Sequence, residues 1–195
     1  KEPPTTMSAF TARRPRRAIR PRATLPRTAL LIALVAPFAF VAATPAATGA
    51  TTAVSIFSTS DNPTLANTTT AREVGLRFTS SQPGTVSGIR FYKGSATKAG
   101  DHRAILWNSG GKILAKTAFS ASPSSGWQTV SFPTPVAIQA NNTYVVSYYS
   151  PTGNYAETTA GLAQPRRSGP LTTLGGAYRD ARGFPRTAST SNYWV

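Results

Sequence analysis

Cysteine is absent from the 195-residue chain, and histidine and methionine each occur once. Without cysteine there is no disulfide framework, no thiolate metal site and no cysteine nucleophile, and nothing behind an apolar leader to carry a lipid. Acids are scarce too: six Asp and Glu stand against 21 Lys and Arg, a formal net charge of +15. Long apolar runs are also missing. The longest, Ala29 to Ala43, has 15 residues and contains Pro37, short of the roughly 20 that cross a bilayer as a helix.

These shortages bear directly on catalysis. A hydrolytic triad would need His102 as its base, yet no G-x-S-x-G elbow occurs, and Asp101 is its immediate neighbour rather than a distant partner. His102 therefore reads as framework rather than as a catalytic base. Glycoside hydrolysis needs two poised carboxyls. Beyond residue 50 only Asp61, Glu73, Asp101, Glu157 and Asp180 remain, none in a recognisable motif. Glu73 alternates with Val74 and Leu76 and so reads as a solvent-face residue. Calcium wants six to eight oxygens and usually two carboxylates, which Asp61 and Asn62 do not supply. No catalytic residue, metal or cofactor is expected.

The charge divides unevenly. Residues 1 to 50 hold eight Lys or Arg and one acid, or +7, and residues 51 to 195 carry the other +8. Seven arginines between Arg13 and Arg27, then ALLIALVAPFAFVAA, then the small residues of TPAATGA follow the order of a secretory signal peptide. Met7 is the expected start, general secretion the expected route, and cleavage is expected between Ala46 and Ala53. The reading is therefore a signal peptide with a basic extension at 1–50 and one domain at 51–195, with no membrane span left after cleavage. Localisation follows as extracellular or cell-surface. About 145 residues suffice for a core without disulfides.

From residue 51 onward apolar residues alternate over short runs between Gly, Pro, Asn and Ser clusters, the pattern of an all-β protein. REVGLRF puts Val74, Leu76 and Phe78 on one face. VSGIRFYK slips phase at Gly88, which predicts a β-bulge. HRAILWN and KILAKTAF flank Ser109-Gly110-Gly111, a hairpin signal. Trp107 shares the phase of Ile105 and reads as core. GWQTVSF ends at Pro133 and Pro135, which place the following segment at an edge or corner. NTYVVSYYS, rich in β-branched and aromatic residues, reads as a central strand. Residues 160 to 190 read as a long loop with FPR (184–186) its obvious anchor, and SNYWV as a last strand paired with AVSIF or a neighbour of it. Such strand spacing favours a two-sheet antiparallel β-sandwich of jelly-roll type.

EVGLRF, GTVSGIRFYKG, GDHRAILWNSGGKILAKTAF, GWQTVSFPTPVAIQANNTYVVSYYSPTGNY, GPL and SNYWV, in that order, resemble the bacterial family called domain of unknown function 4082. The resemblance runs over about residues 54–195. It implies a secreted β-sandwich, often set beside other modules in large surface proteins. The family pattern continues past NYWV, so its last strand is expected to be cut short here. The stretch from GPL to FP is also shorter and more basic than the family pattern.

Aromatic side chains are where binding could reside, because sugar rings stack on exposed π-faces. Tyr92, Trp127, Tyr149, Tyr155 and Tyr178 are the candidates. A basic exported domain also draws anionic partners. The expected function is that of a non-catalytic accessory module binding carbohydrate or anionic cell-wall polymer. A structural or adhesive spacer is the alternative, and a hydrolase comes last. Partner domains in a larger protein are expected. Nucleic acid is not, since no motif of the known binding folds is present.

Overall fold

The computed structural model describes residues 53–61, 63, 70–94, 102–119 and 124–195. The expected leader at 1–50 and Asp101 lie outside them. The described residues form nine strands and no helix: β1 (Arg72–Ser80), β2 (Gly84–Lys93), β3 (Arg103–Asn108), β4 (Ile113–Ala118), β5 (Gly126–Ile138), β6 (Thr143–Ser150), β7 (Arg167–Ser168), β8 (Leu171–Arg179) and β9 (Thr187–Ser189). No described helix is long and apolar enough to cross a membrane. Seven strands make one sheet in the order β4-β3-β6-β1-β8-β7, with β9 also on β8, and β2 pairs with β5 in a second sheet. Every pairing is antiparallel.

The two sheets close over one core, as in a β-sandwich. Period-2 alternation aims Val74, Leu76 and Phe78 of β1, Leu106 of β3 and Val146 and Tyr148 of β6 at Ile89 and Phe91 of β2 and Phe132 and Ile138 of β5. Phe91 lies at the centre, its ring 4.3 Å from that of Tyr148 and 4.6 Å from that of Phe119. As expected, β6 is central, between β3 and β1. The β3–β4 hairpin turns on Gly111 at φ +85, and the Asn108 side chain accepts from the N–H groups of Gly110 and Lys112. The register of β2 against β5 shifts between Val86 and Gly88, the expected bulge. Most of the extra length lies on β5, where Phe132 to Pro135 bow out between Ser131 and Val136.

Three expectations are corrected. Residues 160 to 190 are not one long loop: Leu171–Arg179 is a nine-residue strand beside β1, with β7 and β9 on its flank. Gly175 and Gly176 lie in this strand and serve its irregular pairing with β1, whose register shifts between Leu76 and Phe78. SNYWV does not pair with AVSIF, and neither is a strand. Asn192 exchanges backbone hydrogen bonds with Thr158, and the Trp194 carbonyl accepts from the Tyr92 N–H. Trp194 takes φ +51, so the end turns rather than extends. AVSIF is held by side chains: Ser168 donates to the Ser55 carbonyl and Arg90 to that of Phe57. Finally, Glu73 is not a solvent-face residue; it is 1% exposed.

Candidate functional site

Glu73 is buried because the outer face of the large sheet, away from the main core, is covered. After β8 the chain crosses that face as a strap, residues 180–186. Phe184 packs on Trp107 with ring centroids 5.6 Å apart. Pro185 lies over Gly75, its Cγ 3.3 Å from where a Cβ would stand. Ile105, Trp107 and Val145 form a second small core beneath Phe184. Trp107 is thus buried as its phase suggests, but on the outer side of the sheet.

Under this strap lies a buried polar chain. The Trp107 indole N–H donates to Ser147 Oγ at 2.8 Å, and the Ser147 hydroxyl donates to Glu73 Oε1 at 2.6 Å. The Gly183 N–H points at Glu73 Oε2 from 3.5 Å, beyond the usual hydrogen-bond range. Burial pushes the Glu73 carboxyl above the ordinary 4.5, opposed by Ser147, Gly183, Arg182 and Arg179, which favour the charged form. A raised folded value means Glu73 favours folding fully below the unfolded pKa. That contribution is lost as pH rises through the raised value.

Several cations share the face of this carboxyl. Register sets Tyr149 on one side of Glu73 and Arg179 on the other. Arg103 and Lys116 share the face, since Ile105 pairs with both Ser147 and Lys116 and Arg103 is two residues before it. Arg77 lies four residues along β1. The strap brings Arg182, whose guanidinium sits 4.2 Å from the Tyr149 ring centroid, and the exposed Arg186. Gly183 leaves room for Arg179, whose Nη1 is 3.0 Å from a would-be Cβ there. Arg179 and Arg182 thus act directly on the buried acid, while Arg77, Arg103 and Lys116 belong to the same outer face farther from it.

The five expected binding aromatics fall into three groups. Tyr149 is on this outer face. Tyr92 and Trp127 meet edge to face across β2 and β5 at 5.6 Å, with Arg90 stacked 4.7 Å from Trp127. Tyr155 and Tyr178 lie on the inner side beneath Arg72, whose guanidinium is 4.5 Å from the Tyr178 centroid and donates to the Tyr155 hydroxyl at 2.8 Å. Tyr155 is 2% exposed and offers no face for stacking. Arginine 103, 179 and 182 were not singled out as a site because alternation fixes a residue's face but not which strands lie side by side. The spacing of Arg179, Arg182 and Arg186 was the available signal.

The other candidates are occupied structurally. Asp61 closes a turn by accepting from the Ser58 N–H at 2.8 Å and pairs with Arg166 at 2.9 Å. Asp180 pairs with Arg72 at 2.5 Å. Among the described residues no three His, Cys, Asp or Glu gather as a metal site. An open groove of ≈ 440 Å³ between β4 and the bowed part of β5 is lined by Leu114, Lys116, Phe132 and Pro135 among others, with Lys116 its titratable group. His102 is 4% exposed, packs on Phe91, and its Nδ1 lies 2.9 Å from the Tyr149 carbonyl, so that nitrogen carries the proton. His102→Ala is expected to cost about 1–3 kcal/mol in urea unfolding; a variant as stable as the parent would show this bond to be idle.

The described residues define a two-sheet antiparallel domain, without a helix among them, with a strapped, cation-rich outer face. The chain belongs to the family described as Domain of unknown function (DUF4082), whose family model matches residues 44–195. No curated protein matches the chain.

Proposed function

We propose that this domain is a non-catalytic module that binds carbohydrate or cell-wall polymer, with the outer face of the seven-stranded sheet as its site. The observation that carries this reading is a face that holds Arg77, Arg103, Lys116 and Arg179 by register and Arg182 from the strap, with Arg179 and Arg182 acting on one buried carboxyl. Guanidinium groups present planar forks that match carboxylate and phosphate oxygens. A run of them along one face suits a polymer with repeated anionic groups better than a single small ligand. Tyr149 holds Arg182 over its ring and so fixes that guanidinium on the face.

Chemistry supports the non-catalytic half. Glycoside hydrolysis needs two carboxyls flanking the bond, whereas Glu73 lies beneath the strap and Asp180 is tied to Arg72. The fold we read as a sandwich of jelly-roll type. The leader we read as removed on export, which puts the domain outside the cell beside other modules of a surface protein. A spacer role is favoured by the division of the five aromatics among three places.

Binding of the full chain to purified wall polymers at low ionic strength separates the two. Arg103→Glu with Arg182→Glu is expected to weaken binding of an anionic polymer at least about tenfold, and salt to weaken that of the parent. Equal binding by parent and double variant would remove the outer face as the site. Failure of every polymer to bind would leave the spacer.

A further inference from the structure

The cation-rich face has one acid at its centre, and an incoming polyanion would have to share the same arginines with it. We propose that Glu73 is the specificity-determining residue of this face: binding of a polymer carrying phosphodiester or carboxylate groups is coupled to uptake of a proton by Glu73. This rests on the reading that the outer face is the binding site, and assigns its regulation.

The geometry carries the inference. Glu73 is 1% exposed between Tyr149 and Arg179 in register. Ser147 from β6 donates to one carboxyl oxygen, and the strap's Gly183 N–H faces the other. Arg179 from β8 and Arg182 from the strap act on it electrostatically. Arg103 of β3 lies in the same register row two strands away, and Arg77 stands four residues along β1 on the same face. When Glu73 is ionised, it competes with a ligand anion for the field of Arg179 and Arg182. When it is neutral, the whole of that field acts outward. Burial raises the carboxyl above its ordinary value, so the cost of protonating it in the bound state is reduced. Linkage makes the effect reciprocal: a bound anion tightens the hold of Glu73 on its proton by the factor by which that proton tightens anion binding. The balance is at most one proton taken from solvent per occupied site, equal to the fraction of Glu73 that is ionised in the free protein and neutral in the bound one, with no covalent step.

The test uses the full chain and three probes: poly(glycerol phosphate), polygalacturonate and neutral dextran. The two acidic polymers distinguish a phosphodiester source from a uronate one. At constant ionic strength between pH 5 and 8, wild-type affinity for at least one acidic polymer is expected to fall by up to about tenfold per pH unit above the Glu73 value of the free protein. Glu73→Gln, which keeps an acceptor for Ser147, is expected to bind at pH 8 about as tightly as the wild type does at the acid limit of its own profile, with a flat profile. Calorimetry of the wild type in buffers of different ionisation heat is expected to report proton uptake on binding. That measurement decides the matter even if the Gln variant does not fold. Binding without proton uptake, or a pH profile that Glu73→Gln leaves unchanged, overturns the coupling and spares the binding reading. Absence of binding to both acidic polymers at every pH overturns both.

Discussion

Gly176→Ala is expected to lower the melting temperature by about 6–12 °C, corresponding to roughly 3 kcal/mol at about 2–4 °C per kcal/mol for a domain of this size. A Cβ at position 176 would lie closer than 3.0 Å to the Ser191 carbonyl oxygen and 3.0–3.1 Å from two ring carbons of Tyr193. The oxygen belongs to backbone, so the conflict cannot be relieved by a side-chain rotation. Gly176 pairs with Ser189 in β9 and with Leu76 in β1, which fixes it from both sides. Relief must therefore come from moving the 189–193 segment, and with it Tyr193, which packs on Tyr155 and Tyr178. Alanine also narrows the unfolded ensemble, a stabilisation of about 0.4–1 kcal/mol, too small to offset such a clash. A thermal melt of Gly176→Ala within 2 °C of the parent, a margin of about 1 kcal/mol or less, would mean that β9 and the terminal segment yield without cost.

That glycine also illustrates what could be read from the sequence. Where one strand's own alternation decided the matter, the reading was sound. Val74, Leu76 and Phe78 point inward, Ser109-Gly110-Gly111 makes the hairpin, and Gly88 marks a register shift. The β-branched, aromatic strand at residues 143–150 is central because it is buried on both faces. Where a residue's fate depended on a segment far along the chain, alternation was silent. Glu73 occupies the outward phase, and its burial comes from a strap more than 100 residues later. Gly175-Gly176 resembles a turn because a strand that must admit a neighbouring backbone and an aromatic ring also needs glycine. SNYWV alternates like a strand, yet the left-handed backbone at Trp194 redirects it. The anchor role of FPR was legible, because a Phe-Pro pair in a polar stretch has little reason to remain in water. What it anchors to was not.

The anchoring can be put to the test at the other end of the contact. Trp107→Ala is expected to cost about 3–5 kcal/mol in urea unfolding, the usual range for emptying a buried tryptophan site. Trp107 is 5% exposed and serves three partners: the ring of Phe184, the small core with Ile105 and Val145, and the hydroxyl of Ser147. Its loss removes the platform for Phe184 and the indole donor to Ser147, so the hydroxyl that supports Glu73 is no longer held. The main core, on the other side of the sheet, is not touched. The damage should therefore concentrate in the strap, which opens locally before the domain unfolds. Trypsin reads this directly, since Arg182 and Arg186 both lie in the strap. Cleavage after these residues under native conditions is expected to accelerate at least about tenfold, as for any local opening made easier by 1.4 kcal/mol or more. Polymer binding should weaken with it, because Arg182 reaches Tyr149 only while the strap is seated. Trp107→Phe keeps an aromatic platform but no indole N–H, so it should protect the strap better than alanine while still leaving Ser147 without its donor. If Trp107→Ala unfolds with a loss of less than about 1 kcal/mol, or if the strap stays as resistant to trypsin as in the parent, Phe184 and Pro185 hold the strap without Trp107. The outer face would then be rigid for a reason other than its small second core.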